Sequence, residues 1–304
     1  MAGSSALSAP PAPEVAASYA YCANVARTQA RNFYYSFVVL PPEKRAAMCA
    51  IYAFMRYCDD LSDDAEIGDR MASLEQWRAM LGKAYEGDCT GHPMLPAFRD
   101  TVRRYSIPRK LFDELIDGVE MDLTHTRYET FDELYRYCYR VASVVGLVCI
   151  HVWGYSGPEA LAPAEACGIA FQLTNILRDL REDAERGRIY LPREDLERFG
   201  VSEESLIRGE MTPEYLAMMR FEAARARDYY ERARALPPLL GDDGRSTFRI
   251  MYRIYRGLLD KIEAGGYDVY SRRVRLSAGR KLGIVAEEWL TAHVRAWGRH
   301  RTDA

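Results

Sequence analysis

The chain has 304 residues, of which 48% are hydrophobic, and this is enough apolar surface to bury a large core in one domain or in two closely packed domains. Its 41 lysines and arginines nearly balance 44 acidic residues, so no global basic field favours nucleic acid as a partner. The longest apolar run, residues 141–153, contains His151 and is shorter than the roughly 18–20 residues that span a bilayer. Composition therefore argues against a disordered, nucleic-acid-binding or membrane-spanning protein and predicts one that is soluble or peripherally bound.

The N-terminal segment and the cysteines indicate the compartment. Residues 1–13 lack the basic and apolar segments of a signal peptide, and their Ala, Ser and Pro content predicts a disordered tail. The seven cysteines form no CxxC pair, and most lie within apolar helical patterns, so we expect reduced, buried thiols in a cytoplasmic protein. Because residues 14–304 show neither an internal repeat nor a long linker, we expect them to form a single domain.

Apolar residues recur at three- and four-residue spacing from Glu14 onward with almost no sustained alternation, and this predicts an all-α fold. Prolines suit the first turn of several helices, and Gly187 suits a helix end. The predicted helices are 15–29, 42–64, 73–86, 94–105, 109–121, 130–153, 158–187, 213–235, 245–264 and 277–298. Several exceed twenty residues, which is typical of a bundle that encloses a central cavity.

The stretch 175–192 contains an unusual row of polar residues. In a helix, Asn175, Asp179 and Asp183 recur every four residues and therefore point from one face. Like charges at that spacing repel by roughly 0.2–0.5 kcal/mol per pair, so a helix that stacks them beside apolar residues is expected to hold something positive.

A second acidic row ends the helix predicted at 42–64. Asp59 and Asp63 share a face at i,i+4 spacing. Carboxylates at a helix C-terminus oppose the helix dipole, and such a local conflict is typical of a functional site. The alternative is that these acids merely solvate a helix end.

The two rows together predict a metal and diphosphate site. Oxygen ligands on two helices, without a His or Cys cluster, suit Mg²⁺, and more than one ion is expected. The expected metal ligands are Asp59, Asp63, Asn175, Asp179 and Asp183. Guanidinium groups suit diphosphate oxygens, and arginines accompany both rows at positions 56, 178, 181, 186 and 188. The pattern indicates ionisation of an organic diphosphate inside an apolar cavity.

Three blocks resemble the squalene/phytoene synthases, which join two isoprenyl diphosphates head to head. The blocks are NFYYSFVVLPPEKRAAMCAIYAFMRYCDDLSDD, YCYRVASVVGLV and GIAFQLTNILRDLREDAERGRIYLP, and the similarity runs from about Arg31 to the last helix. The resemblance implies a single large helical bundle of the class I isoprenoid synthase type with a central cavity.

The resemblance also implies roles for particular residues. The two DxxxD motifs would bind diphosphates through Mg²⁺ from opposite walls, and Asn175 and Gln172 would join the second wall. Tyr139 would lie near the reacting carbons and act in catalysis with the four motif aspartates. Diphosphate contacts are implied for Arg56, Arg178, Arg188, Tyr255 and Arg273. The cavity lining is expected to include Phe33, Phe54, Tyr57 and Phe171, although each of these aromatics taken alone suits an ordinary core.

The implied reaction is a 1'-1 condensation through a cyclopropyl diphosphate, and we expect two farnesyl diphosphates to give presqualene diphosphate or squalene. The alternative is a phytoene synthase that uses two geranylgeranyl diphosphates. NADPH is expected only if the product is squalene, and the chain shows no GxGxxG nicotinamide motif. Partners would be the isoprenyl diphosphates and downstream pathway enzymes. A cytoplasmic location is expected, with peripheral contact at the inner membrane face as one route for release of an apolar product.

Three other functions compete with this interpretation. Head-to-tail prenyl elongation also uses a DDxxD motif, which residues 59–63 satisfy, but the second row here reads NILRDLRED instead. A terpene cyclase has an Asn/Ser/Glu metal triad with the spacing of Asn175, Asp179 and Asp183, but its middle ligand differs. A non-enzymatic helical scaffold would not be stabilised by Mg²⁺ with a diphosphate.

Overall fold

The computed structural model describes residues 12–29, 34–37, 39–63 and 69–302, with the side chains of 34–35, 63 and 292–302 left out. Residues 1–11 of the predicted tail therefore lie outside the described residues. The same holds for Phe33, a predicted cavity residue, and for the side chain of Asp63.

The regular secondary structure of the described chain is almost entirely helical. It contains α1 (Pro13–Gln29), α2 (Tyr34–Phe37), α3 (Pro42–Asp63), α4 (Arg70–Glu86), α5 (Leu95–Arg104), α6 (Arg109–Thr124), α7 (Phe131–Cys138), α8 (Val144–Trp153), α9 (Leu161–Arg178), α10 (Leu180–Glu185), α11 (Arg193–Phe199), α12 (Glu203–Arg208), α13 (Pro213–Ala233), α14 (Asp242–Ala264) and α15 (Ala278–Thr302). A π-helical segment, Tyr139–Ser143, joins α7 to α8, and short 3-10 turns precede α9 and α14. Among the described residues there is no β-strand, only an isolated bridge between Tyr155 and Leu240.

Local sequence signals explain many helix ends. The Asp69 side chain caps α4 by accepting from the backbone N–H of Ala72 at 2.9 Å. Thr130 and Thr212 cap α7 and α13 in the same way. Gly87 ends α4 in the left-handed conformation, which glycine adopts without steric cost.

Two predicted helices are not single α-helices. The prediction of one helix over residues 158–187 was wrong. Asp179 has a non-helical backbone conformation, with φ −104° and ψ 16°, and it separates α9 from α10. The helix expected at 130–153 is interrupted by the π-helical segment. The π-helical segment packs against α9, and the break between α9 and α10 lies within the row formed by Asn175, Asp179 and Asp183.

The core consists of two hydrophobic clusters. The first is formed chiefly by α1, α3, α4, α5, α6 and α8, and the second by α7, the later part of α9, and α11 to α14. Phe171 and Tyr139 pack against both clusters. All seven cysteines are unpaired, and six of them are buried, as expected. None of the helices in the described part of the chain is long and apolar enough to cross a membrane.

Candidate active site

A cavity of about 340 Å³ lies between helices of the two clusters. Its lining is mostly apolar, but along α3 it changes from Met48 and Ile51 to Arg56 and Asp59. Along α9 it likewise changes from small and apolar residues to Gln172 and Asn175. The C-terminal ends of α3 and α9 therefore give the cavity a polar end, and the rest of it is suited to a hydrocarbon chain.

The first acidic row lies at the end of α3. Asp59 is exposed and lines the cavity, one turn beyond Met55 on the same face. Arg56 also lines the cavity and forms an ion pair with Asp60. Burial alone would lower the pKa of the Arg56 guanidinium, but the hydrogen bond to Asp60 raises it, so the group stays a cation at the polar end.

The second acidic row crosses the break between α9 and α10. The backbone N–H of Asp179 donates to Asn175 O and that of Asp183 to Asp179 O, both at 2.9 Å, so the helical four-residue repeat continues through the break. Asn175 lines the cavity, whereas Asp179 and Asp183 lie beyond its polar end.

Two arginines hold the Asp179 carboxylate. Arg178 Nε donates to its Oδ1 at 2.8 Å, and the Arg178 Nη2 forms an ion pair with its Oδ2. Arg273, from the loop before α15, donates from Nε to Asp179 Oδ1 at 3.0 Å and lies 3.4 Å from Glu182. Residues 94 positions apart thus meet at one carboxylate, and the arginines gathered there are arranged to receive an anion.

The electrostatics of the second row fit a cation. Burial raises the pKa of Asp183 to about 7, and the charge of Asp179 adds to the increase, although Arg186 and Arg188 oppose it. Asn175 Oδ1 is buried and has no hydrogen-bond partner among the described residues. A buried oxygen acceptor without a partner and a carboxyl whose charged form is disfavoured, on one row of residues, are oxygen donors that suit Mg²⁺. The described side chains alone form no group of three or more His, Cys, Asp or Glu that could hold a metal ion.

The other three residues predicted to contact the diphosphate do not all lie at the cavity. Gln172 lines the cavity and accepts from Asn175 Nδ2 at 3.4 Å. Tyr255 also lines the cavity, where its ring stacks on Phe171 with a centroid separation of 4.2 Å. Arg188 lies outside the lining, and its Nη2 donates to Asp122 O at 2.9 Å.

Tyr139 is the first residue of the π-helical segment. It is half-buried and in contact with both hydrophobic clusters, but it is not among the residues that line the cavity. Burial raises the pKa of its phenol, and the nearby Glu114 and Glu165 raise it further. The hydroxyl therefore stays protonated at neutral pH.

Of the aromatic residues that were predicted to line the cavity and that the structure describes, only one does so. Phe171 does, whereas Phe54 and Tyr57 do not. Phe54 is fully buried against other rings, and its ring centroid lies 4.5 Å from that of Phe98 and 5.0 Å from that of Trp77. The helical repeat explains why the prediction was wrong for these two residues. The cavity face of α3 contains Asp59 and the residues four, seven and eight positions before it, whereas residues 54 and 57 lie on the opposite side of the helix.

The same repeat could have found residues that the sequence reasoning missed. Stepping back from Asp59 by four, seven and eight positions gives Met55, Tyr52 and Ile51, and all three line the cavity. Lys281 on α15 had no such signal. Burial lowers the pKa of its ammonium group, and the positive charges of Arg178 and Arg275 lower it further, so Lys281 is within electrostatic range of the second row.

The fold and the site define an all-α protein with an apolar cavity and a charged end. A profile of the squalene/phytoene synthase family matches residues 26–280. A 15-cis-phytoene synthase of Synechocystis sp. is 39% identical over 303 residues, covering 94% of this chain and 89% of that protein. A phytoene synthase of Mycobacterium tuberculosis is 38% identical over 277 residues, covering 90% and 91%.

Solved structures of enzymes with similar names have the same fold. A dehydrosqualene synthase in complex with a ligand has a TM-score of 0.84 at 30% identity, covering 93% of this chain and 98% of that one. Squalene synthase HpnC from Alicyclobacillus acidocaldarius has a TM-score of 0.81 at 27% identity, covering 84% and 97%. The chain therefore belongs to the squalene/phytoene synthase family. The resemblance and the all-α fold are confirmed, and the protein is a prenyltransferase that acts on isoprenyl diphosphates.

Proposed function

We propose that this enzyme condenses two geranylgeranyl diphosphates into phytoene through a cyclopropyl diphosphate. The observation that carries the proposal is that relatives 38–39% identical across about nine-tenths of the chain are named phytoene synthases. This was the alternative in the sequence analysis, where farnesyl diphosphate was the expected substrate. The farnesyl reaction stays a second candidate because solved structures at 27–30% identity are named squalene and dehydrosqualene synthases.

The proposed metal ligands are those expected from the sequence. Asp59 and Asp63 on α3 would hold Mg²⁺ from one side, and Asn175, Asp179 and Asp183 from the other. The ion would supply charge neutralisation to the departing diphosphate. The support for this arrangement is the unpartnered Asn175 Oδ1 and the raised pKa of the Asp183 carboxyl.

The chain's own residues would start the reaction by holding the diphosphate. Arg56 at the end of α3 and the pair Arg178 and Arg273 at Asp179 would donate to phosphate oxygens and stabilise the leaving group as charge develops on it. Gln172 and Tyr255, which line the same polar end, would position it. Arg188 would join them only after releasing Asp122 O.

The apolar cavity would then protect the allylic cation. Its lining excludes water that would quench the cation, and the stacked rings of Phe171 and Tyr255 offer π faces to positive charge. Tyr139 would act near the reacting carbons only if its side chain turned toward the cavity, which Val141 and Ala142 of the same π-helical segment line. Phytoene, the C40 product, forms by loss of a proton and needs no added hydride, so NADPH would not be required.

Product analysis tests the proposal. The purified protein is incubated with Mg²⁺ and either geranylgeranyl or farnesyl diphosphate, each with and without NADPH. We expect phytoene from geranylgeranyl diphosphate, with a yield that NADPH does not change. Presqualene diphosphate or squalene from farnesyl diphosphate, with no turnover of the C20 substrate, would favour the second candidate.

A further inference from the structure

The end of the cavity that lies away from the acidic rows is closed by a tryptophan. Trp153 is the last residue of α8, it is 4% exposed, and it lines the cavity. A Cβ atom added at Gly244 of α14 would lie 2.4 Å from Trp153 Cβ, so the two helices meet there. Phe248 lies one turn further along α14 and also lines the cavity. We call Trp153 and Phe248 the closed end of the cavity.

The helices around the cavity place Trp153 far from its polar end. Lys44, near the start of α3, donates from Nζ to Trp153 O at 2.8 Å, whereas Asp59 lies fifteen residues later on the same helix. Fifteen residues of α-helix span about 22 Å. On α14, eleven residues separate Gly244, beside Trp153, from Tyr255 at the polar end, which is about 16 Å. The distance from the polar end to the closed end is therefore about 16–22 Å.

Polar contacts hold the closed end in place. Lys44 forms an ion pair with Asp243 at 2.9 Å in addition to its hydrogen bond with Trp153 O, so α3, α8 and α14 meet at one ammonium group. The backbone N–H of Gly241 donates to Gly154 O at 3.0 Å and ties the segment before α14 to the end of α8. Because Trp153 is fixed on both sides, a hydrocarbon chain that reaches it meets a wall rather than a movable loop.

The indole of Trp153 has a feature that packing alone does not explain. Its Nε1–H is buried and has no hydrogen-bond partner among the described residues. A buried donor without a partner costs about 1–3 kcal/mol. A phenylalanine would avoid this cost but is smaller, so the property of tryptophan that this position uses is its size. A local conflict of this kind is typical of a functional position.

We propose that Trp153 sets the longest isoprenoid chain that the cavity accepts. The sixteen main-chain carbons of a geranylgeranyl group, extended, span about 20 Å at about 1.25 Å per C–C bond, which matches the distance from the polar end to the closed end. A farnesyl group spans about 15 Å and stops short of Trp153, whereas a C25 group spans about 25 Å and runs into the indole. The choice of C20 as the limit rests on the proposed function.

Substrates that differ by one isoprene unit test the proposal. The full chain with Mg²⁺ is given the C15, C20 or C25 diphosphate, and the release of diphosphate measures kcat/KM for each. Trp153→Ala leaves room for one more isoprene unit, so the ratio of kcat/KM for C25 to that for C20 should rise at least tenfold. Trp153→Phe keeps a ring at the closed end and loses only the N–H and part of the size, so it should keep most of the wild-type preference.

A second variant shortens the cavity instead of lengthening it. Cys149 lines the cavity one turn before Trp153 on α8. A ring at this position should shorten the cavity by about one helical turn, or about 5.4 Å, which is close to the length of one isoprene unit. Cys149→Phe should therefore raise the ratio of kcat/KM for C15 to that for C20 at least tenfold. This variant keeps Trp153, so it tests the proposal even if Trp153→Ala does not fold, which circular dichroism shows.

The control is Phe98→Leu, which trims a fully buried ring that is not among the residues lining the cavity. It should keep the wild-type ratios. The proposal is overturned if folded Trp153→Ala keeps the wild-type ratio, if Cys149→Phe does not favour the shorter chain, or if Phe98→Leu shifts the ratio as far as Trp153→Ala. The proposed function fails separately: a wild type that uses C15 and not C20 contradicts it, whereas a shift of one unit toward longer chains in Trp153→Ala would still support the role of Trp153.

Discussion

Asp179 has a special position in the proposed site because it lies at the break between α9 and α10. A residue in an uninterrupted helix would present its carboxylate at a fixed angle to the axis, whereas Asp179 takes a non-helical conformation while its neighbours keep helical hydrogen bonds. Its carboxylate meets both Arg178 and Arg273. If Asp179 holds a metal ion, that ion would compete with these two guanidinium groups, which would then be free to donate to phosphate oxygens.

Asp179→Ala should abolish turnover and leave the fold intact. The variant removes a proposed metal ligand and leaves Arg178 and Arg273 without their carboxylate, so we expect the rate to fall at least a hundredfold. Turnover of the C20 substrate and helical circular dichroism measure the two effects. Glu185→Ala is the matched control, because Glu185 lies on α10 in an exposed ion pair with Arg181 and its loss should change little. Full activity in Asp179→Ala would remove it from the metal site.

At the scale of helices, the start positions could be predicted well from sequence. Pro42 and Pro213 begin α3 and α13, and the predicted start at residue 109 is the start of α6. The interruptions of the helices could not be predicted, because neither the break at Asp179 nor the π-helical segment that begins at Tyr139 contains Pro or Gly. The π-helical segment lies where α9 packs against it in the folded protein, and a contact between such distant parts of the chain is invisible to local propensity.

One close approach within this contact is at Gly168, and it supports a prediction on stability. A Cβ atom there would lie 2.4 Å from Ser143 Cα and 2.5 Å from Ser143 N, so Gly168→Ala must push α9 away from the π-helical segment. We expect a loss of about 1–3 kcal/mol in the free energy of unfolding. Gly283→Ala on α15 meets open space and should be neutral or stabilising by about 0.5–1 kcal/mol. Urea denaturation of the two variants measures both, and equal stabilities would contradict the packing explanation.

A buried cluster between α11 and α13 predicts a pH dependence of stability. Glu222 is 1% exposed, and Arg225 donates hydrogen bonds to the carboxylates of both Glu222 and Asp195. Burial raises the pKa of Glu222 to about 8, with Arg225 opposing the rise and Asp195 adding to it. A carboxyl whose pKa is raised on folding keeps its proton in the folded state, so its contribution is fully present below about pH 4.5 and is lost as the pH rises through about 8.

Glu222→Gln removes this titration and keeps an acceptor for Arg225. Between pH 5.5 and 8.5 the Tm of the wild type should therefore fall by about 2 °C or more beyond that of Glu222→Gln. Thermal denaturation followed by circular dichroism measures the difference. Parallel curves for the two proteins over this range would show that Glu222 titrates at its ordinary pKa.

At the scale of the whole molecule, the two acidic rows belong to different parts of the core. The helix that bears Asp59 packs in the first hydrophobic cluster, whereas the end of α9 that bears Asn175 packs in the second. The sequence predicts the members of each row, because the spacing of four is local. It does not predict Arg273 at Asp179 from spacing, or the cavity face of α3, because both depend on how distant helices meet.

A ligand that bridges the two rows should stabilise the whole protein. With Mg²⁺ and inorganic diphosphate present together at about one hundred times their Kd, the gain is about 2.7 kcal/mol, or about 4–5 °C in Tm. Either component alone should give a smaller shift, because the anion needs the ions and the ions need the phosphate oxygens to complete their coordination. Asp59→Ala, which alters only the first row, should lose most of the shift, whereas Glu185→Ala should keep it. A full shift in Asp59→Ala would mean that the diphosphate is held by the second row alone, and the two rows would then not form one site.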